Sequence, residues 1–177
     1  TSPAYLAGRE NELNMAETTF QALRLQIPVQ SIIYTGLRGV GKTVLLNQME
    51  ELAKKESIEC RHIEVENRND FISQIITCCQ VFLRNISTGE RMKQTISKAV
   101  DALKSLAVSF SPESSTFSLS MQEQELYKTT NLTQSLTDVF ISVGEAARDA
   151  NKPICFFIDE MQYMKGNELS SLIAALH

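Results

Sequence analysis

Gly36-Leu37-Arg38-Gly39-Val40-Gly41-Lys42-Thr43 reads G-x-x-x-x-G-K-T and directly follows the apolar run Ser31-Ile32-Ile33-Tyr34-Thr35. These residue types at this spacing suit one chemistry, the wrapping of a polyphosphate by backbone N–H groups. Glycines let the chain approach the phosphates closely and adopt the turn conformations that side chains would forbid. A helix starting near Gly41 would aim its unsatisfied N–H groups and positive dipole end at the same oxygens. Lys42 would neutralise β- and γ-phosphate charge, and Thr43 would offer a hydroxyl to Mg²⁺. Gly36, Leu37, Arg38, Gly39, Val40, Gly41, Lys42, Thr43 and Val44 are thus the expected nucleotide-binding residues. Four fixed positions of this kind match by chance on the order of once in 10⁴ to 10⁵ positions.

A site of this type needs a second half, an acid at the end of another buried strand. Ile154-Cys155-Phe156-Phe157-Ile158-Asp159-Glu160 supplies it. The unbroken apolar run suits a parallel strand covered on both faces. Asp159 would then stand at the carboxyl end of the strand, where open α/β sheets bind ligands, and would serve the Mg²⁺. A carboxylate beside the metal acid, Glu160, can polarise the water that attacks the γ-phosphate, which points to hydrolysis. Lys42 and Glu160 are the expected catalytic residues, and ATP or ADP with Mg²⁺ the expected cofactors. Gln162, two residues on, is a candidate relay of γ-phosphate status and equally a surface residue at a helix start.

Several elements must position these groups. Leu13, Ala16, Phe20 and Leu23 predict an amphipathic helix over 10–25, ended by Pro28. Leu45, Leu46, Met49, Leu52 and Ala53 predict a helix after the phosphate loop, and residues 59–65 alternate as a strand. Asn69 or Asp70 caps a predicted helix carrying Phe71, Ile72, Ile75, Ile76, Cys79, Phe82 and Leu83, and another is expected from near Thr88 through Leu103. Leu106-x-Val108-x-Phe110 and Phe117-x-Leu119-x-Met121 flank Pro112-Glu113-Ser114-Ser115, a hairpin signal. Leu132 to Ala150 predicts the helix before the acidic strand, with Asn131 and Gln134 as its cap. Leu169, Leu172, Ile173 and Leu176 predict a last one.

The interval from Lys42 to Asp159 spans 117 residues, whereas a bare strand-helix-strand-helix-strand path needs about 50 to 60. The surplus falls on roughly residues 88–130, an inserted helix and hairpin that either covers a sheet face or meets a partner. The expected fold class is therefore α/β, a P-loop nucleotide-binding core of one domain over 1–177, its parallel sheet flanked by helices. Two rival chemistries are weaker. Asn151-Lys152-Pro153-Ile154 lacks the aspartate that guanine recognition would want, and no arginine-rich lid marks a small-molecule kinase.

Composition sets limits. With 43% hydrophobic and 21% charged residues the chain can build a core, and a net charge of −4 gives no basic surface for nucleic acid. No apolar run approaches the roughly 20 residues that span a bilayer, and no signal-peptide pattern is present. Cys60, Cys78, Cys79 and Cys155 lack metal-site spacing and read as reduced thiols of a cytoplasmic protein. His62 and His177 show no catalytic pairing.

Three landmarks in order, Gly8-Arg9-Glu10-Asn11-Glu12-Leu13, the phosphate loop, and Asp159-Glu160-Met161-Gln162, resemble the AAA+ and related STAND-type ATPases. The likeness is to the bacterial and archaeal branch similar to origin-recognition ATPases. It implies that Gly8 and Arg9 lie near the adenine; without it, Arg9 reads as a solvated residue at a helix start. It also implies that the sensor strand, arginine finger, fifth strand and helical lid would lie beyond His177, so that residues 1–177 form the first part of the core. The phosphate-loop strand would then sit at an open edge of a three-stranded core, covered by the hairpin, the last helix or a second chain. The expected activity is Mg-dependent ATP hydrolysis coupled to remodelling or loading of a macromolecular partner. The alternatives are a slow nucleotide-gated switch or scaffold, and a DNA-associated initiator whose DNA contacts lie outside this chain. The expected partners are nucleotide and either an unidentified protein or a second copy at the open edge, with no membrane.

Overall fold

Leu13, Ala16, Phe20 and Leu23 recur at helical spacing, and the first helix, α1 (Glu10–Arg24), buries that stripe. The computed structural model describes residues 8–37, 39–66, 71–86, 92–110 and 132–176. They fall into two units, one of the described residues up to His62 together with Pro153–Asp159, the other of those in Ile63–Lys152 and from Glu160 onward.

In the first unit, α1 stops where Gln26 takes a left-handed φ of 58° and the Ile27 N–H bonds to the Ala22 carbonyl at 3.0 Å, just ahead of Pro28. The second helix, α2 (Lys42–Lys55), buries Leu45, Met49 and Ala53. It ends in the same manner, with Ser57 at φ 61° and the Ile58 N–H on the Ala53 carbonyl. Strands β1 (Glu59–Glu64) and β2 (Ile154–Asp159) pair into a two-stranded sheet. They start side by side, the Glu59 N–H donating to the Pro153 carbonyl at 2.8 Å. One core joins these pieces: Ala16 and Phe20 of α1, Leu45, Met49 and Ala53 of α2, Ile58, and Phe157 of β2. Phe20 and Phe157 meet edge-on with centroids 6.2 Å apart.

In the second unit, α3 (Phe71–Asn85) buries the seven apolar residues its periodicity marks, from Phe71 to Leu83. It packs on α4 (Lys93–Phe110), which packs on α5 (Leu132–Asp149), which packs in turn on α6 (Gly166–Ala175). Thr95 Oγ1 donates to Asp149 Oδ2 at 2.8 Å, tying the start of α4 to the end of α5.

Several expectations are corrected. The run Ser31–Thr35 is not a strand: residues 27–37 join no sheet, and Ile32 and Ile33 are 37% and 50% exposed. Only Tyr34 of the run packs on the core. Among the described residues the expected three-stranded sheet is two-stranded, and most of β2 is half-buried, with only Phe157 fully buried. β-Branched residues favour a strand but do not supply the partner that defines one. The first hairpin arm is helical, because α4 continues to Phe110. Its buried residues Ala99, Leu103, Leu106 and Ala107 follow the helical period, which an alternation over five residues cannot exclude. The second arm, 117–121, the hairpin turn, and the caps at Asn69, Asp70 and Asn131 lie outside the described residues. The Gln134 amide donates forward to Asp138 Oδ1 at 2.8 Å, one turn along the helix.

Phe157 lies at the centre of the first unit, so Phe157→Ala is expected to lower unfolding stability by about 3–5 kcal/mol, measured by urea denaturation. A second expectation concerns pH. Burial pushes the Cys60 thiol up to about 11 and the Cys155 thiol up to about 12. Below the ordinary thiol value both states hold the proton and nothing changes. Above it the unfolded chain ionises first, so stability should fall as pH rises from about 9 toward 11. A Cys60→Ala/Cys155→Ala double variant should flatten that part of the urea-midpoint profile.

Candidate functional site

The phosphate loop is shaped by its glycines. Gly39 and Gly41 hold φ of +84° and +82°, a region that costs an L residue about 1–2 kcal/mol. Gly41 is also the N-cap of α2, its carbonyl accepting from the Leu45 N–H at 2.9 Å. At Gly36 an added Cβ would come 3.3 Å from Val40 Cγ2, so the two ends of the loop approach closely there. Leu37, Val40 and Thr43 are exposed, while Val44 is half-buried at the first turn of α2. Arg38 lies outside the described residues.

Lys42 turns back over this loop. Its ammonium donates to the Gly36 carbonyl at 2.9 Å and to the Leu37 carbonyl at 2.8 Å. Two neutral acceptors hold the cation without neutralising it, so anionic oxygens would bind it more strongly.

The segment before α1 reaches the same loop. Gly8 has φ +79°, and the guanidinium of Arg9 donates to Glu12 Oε1 at 2.6 Å and to the Val40 carbonyl at 3.2 Å. The Arg9 bond, helped by the fixed backbone around it, holds the Glu12 carboxyl below the usual carboxylate range. The Tyr34 hydroxyl is buried and has no hydrogen-bond partner among the described residues. Burial pushes its pKa above the ordinary tyrosine value, and the Glu12 charge pushes it further in the same direction. Sequence reasoning overlooked Glu12 and Tyr34. The only local sign was Arg9 and Glu12 at i, i+3, the spacing of a helical ion pair.

Asp159 closes β2 at its carboxyl end, as expected of a ligand-facing acid, and belongs to the same unit as the phosphate loop. Glu160 begins the other unit. Its backbone is left-handed, with φ 57° and ψ 33°, uncommon for a residue with a side chain and a mark of a constrained turn. The Gln162 amide donates to Glu160 Oε2. Asn151 and Lys152, the false guanine motif, follow the end of α5. Asn151 has φ 52° with its N–H on the Arg148 carbonyl, and the Lys152 ammonium donates to the Asn85 carbonyl. His62 Nδ1 bonds Glu50 Oε2 at 2.8 Å, an acid that also takes Lys54, so its partners are structural. His177 lies outside the described residues.

The family model of the AAA ATPase domain matches residues 5–177, nearly the whole sequence. The chain belongs to the AAA ATPase domain family. No curated protein and no solved structure matches it. For an AAA ATPase domain the ligand class is ATP and the family's activity is ATP hydrolysis. No helix among the described residues is long and apolar enough to cross a membrane.

The glycine geometry makes a paired expectation. Gly41→Ala forces a side chain into φ +82° and should lower stability by about 1–2 kcal/mol. Gly144 lies on an exposed face of α5 with open space where a Cβ would go, so Gly144→Ala should raise stability by about 0.5–1 kcal/mol. Urea midpoints of the two variants, moving in opposite directions, check both.

Proposed function

We propose that this AAA ATPase domain binds Mg·ATP at residues 36–44 and hydrolyses it, with Asp159 and Glu160 as the acidic half of the site. The observation that carries the reading is the loop itself: two left-handed glycines, a helix N-terminus, and a lysine ammonium held by the Gly36 and Leu37 carbonyls. The backbone N–H groups and Lys42 bind the phosphates, and Glu160 aligns and polarises water. The donors Thr43 and Asp159 fit Mg²⁺, which takes hard oxygens and few protein ligands beside substrate phosphates. Thr43 and Asp159 would hold the metal, which would supply positive charge against the phosphates. Gly8 and Arg9 are proposed to border the base, a reading supported by the Arg9 contact with the loop.

The origin-recognition-like branch rests on the Gly8–Leu13 box and on Asp159, Glu160 and Gln162. Coupling to a macromolecular partner, or self-association, is supported by the exposed Ile32 and Ile33 on a segment that joins no sheet. One contact favours a second reading, the slow nucleotide-gated switch. The Gln162 amide occupies a Glu160 carboxylate oxygen, and a carboxylate so engaged is a poorer partner for water.

Calorimetry with Mg·ATP on the parent chain and on Lys42→Ala tests the site, and binding is expected only in the parent. Phosphate release tests the chemistry. Glu160→Gln should keep the affinity and lose about 10²-fold or more in rate. If the switch reading holds, Gln162→Ala should speed release; an unchanged or lower rate would count against it.

A further inference from the structure

The phosphate loop is fastened from outside. The two peptide planes on either side of Gly41 are each held by one hydrogen bond. The plane between Gly41 and Lys42 is set by α2, through the Leu45 N–H on the Gly41 carbonyl at 2.9 Å. The plane between Val40 and Gly41 has no such helical bond. Its carbonyl instead accepts from Arg9, 31 residues earlier, at 3.2 Å. This plane needs holding, because its rotation turns on ψ of Val40 and φ of Gly41. Gly41 lacks the Cβ that would otherwise forbid the alternative sign of φ.

A trans peptide is planar, with its C=O and the following N–H pointing in opposite directions. Fixing the Val40 carbonyl toward Arg9 therefore fixes the Gly41 N–H on the far side. We infer that Arg9 is a positioning residue of the phosphate loop: anchored by Glu12, its guanidinium holds the Val40–Gly41 peptide so that the Gly41 N–H is presented for phosphate. Gly41 is the N-cap of α2, where that N–H stands among the unsatisfied donors that bind anions. The anchor is Glu12, which takes the other arm of the guanidinium at 2.6 Å, a bond that lowers its carboxyl below the usual carboxylate value. Arg9 thereby acts on phosphate through backbone.

This inference rests on the nucleotide-binding reading and gives Arg9 a role beyond bordering the base. Without the clamp the peptide samples both orientations, and affinity falls by the fraction of chains still competent. Arg9→Gln should therefore weaken Mg·ATP and inorganic tripolyphosphate alike, by about 3–10-fold each. Arg9→Lys, which keeps a charged donor, should recover part of the loss, and Glu12→Gln should show a smaller loss in the same direction. By NMR, the Gly41 amide should shift and exchange faster in Arg9→Gln while the thermal midpoint stays near that of the parent. A loss confined to ATP, with tripolyphosphate unaffected, would make Arg9 a base contact and overturn the inference, as would unchanged affinity for both ligands. If the parent chain binds neither ligand, the nucleotide reading fails. The clamp is then decided by the Gly41 amide, and a resonance identical in parent and Arg9→Gln overturns it.

Discussion

Everything in the first unit depends on Phe157. It brings the acidic strand under α1 and α2 at once, sharing one core with Phe20, Leu45, Met49 and Ala53. A helix whose buried stripe is pinned to a strand cannot rotate or slide without opening that core. The N-terminus of α2 is thus held in a fixed relation to β2, the strand that ends at Asp159. Phosphate binding makes electrostatic demands, but an apolar contact one turn and more away from the glycines allows them to be met.

The charges around the loop follow a common pattern. Lys42 is held by carbonyls and Arg9 by a carbonyl and a carboxylate. The carboxylate of Glu12 lies on the outside of this arrangement, bound to Arg9, so it orients a cation without cancelling the one that faces the loop. In Asp159-Glu160 the two acids are divided by a sharp change of backbone, extended at Asp159 and left-handed at Glu160. Adjacent carboxylates in a continuous strand would point to opposite faces by pleat alone. The turn gives the second acid a direction independent of the sheet.

What could be read from the sequence was whatever depends on neighbours in the chain. The glycine spacing of the loop, the stripes of α1, α2, α3 and α5, and the acid at the end of β2 all belong to this class. What could not be read depends on distant partners. Ile32-Ile33-Tyr34 has strand-like residues, yet a strand needs hydrogen-bonded neighbours, and the only two strands among the described residues pair with each other. Leu106, Val108 and Phe110 fit a period of two and also the end of a helical stripe; packing on α5 decides for the helix. The Arg9 contact with Val40 crosses 31 residues and leaves no local trace beyond the i, i+3 pair with Glu12.

The pairing of β1 with β2 has a consequence for the order of assembly. Residues 65–153 lie between the two strands, so the sheet closes a long loop, whereas the helices of the second unit meet mostly sequential neighbours. During synthesis α1, α2 and β1 emerge first, but their apolar faces have no strand to rest on until Phe157 leaves the ribosome. The nascent first unit is an unfinished half-core for as long as it takes to make α3, α4 and α5. In that interval Phe20, Leu45 and Met49 lack the Phe157 ring that shares their core in the finished fold.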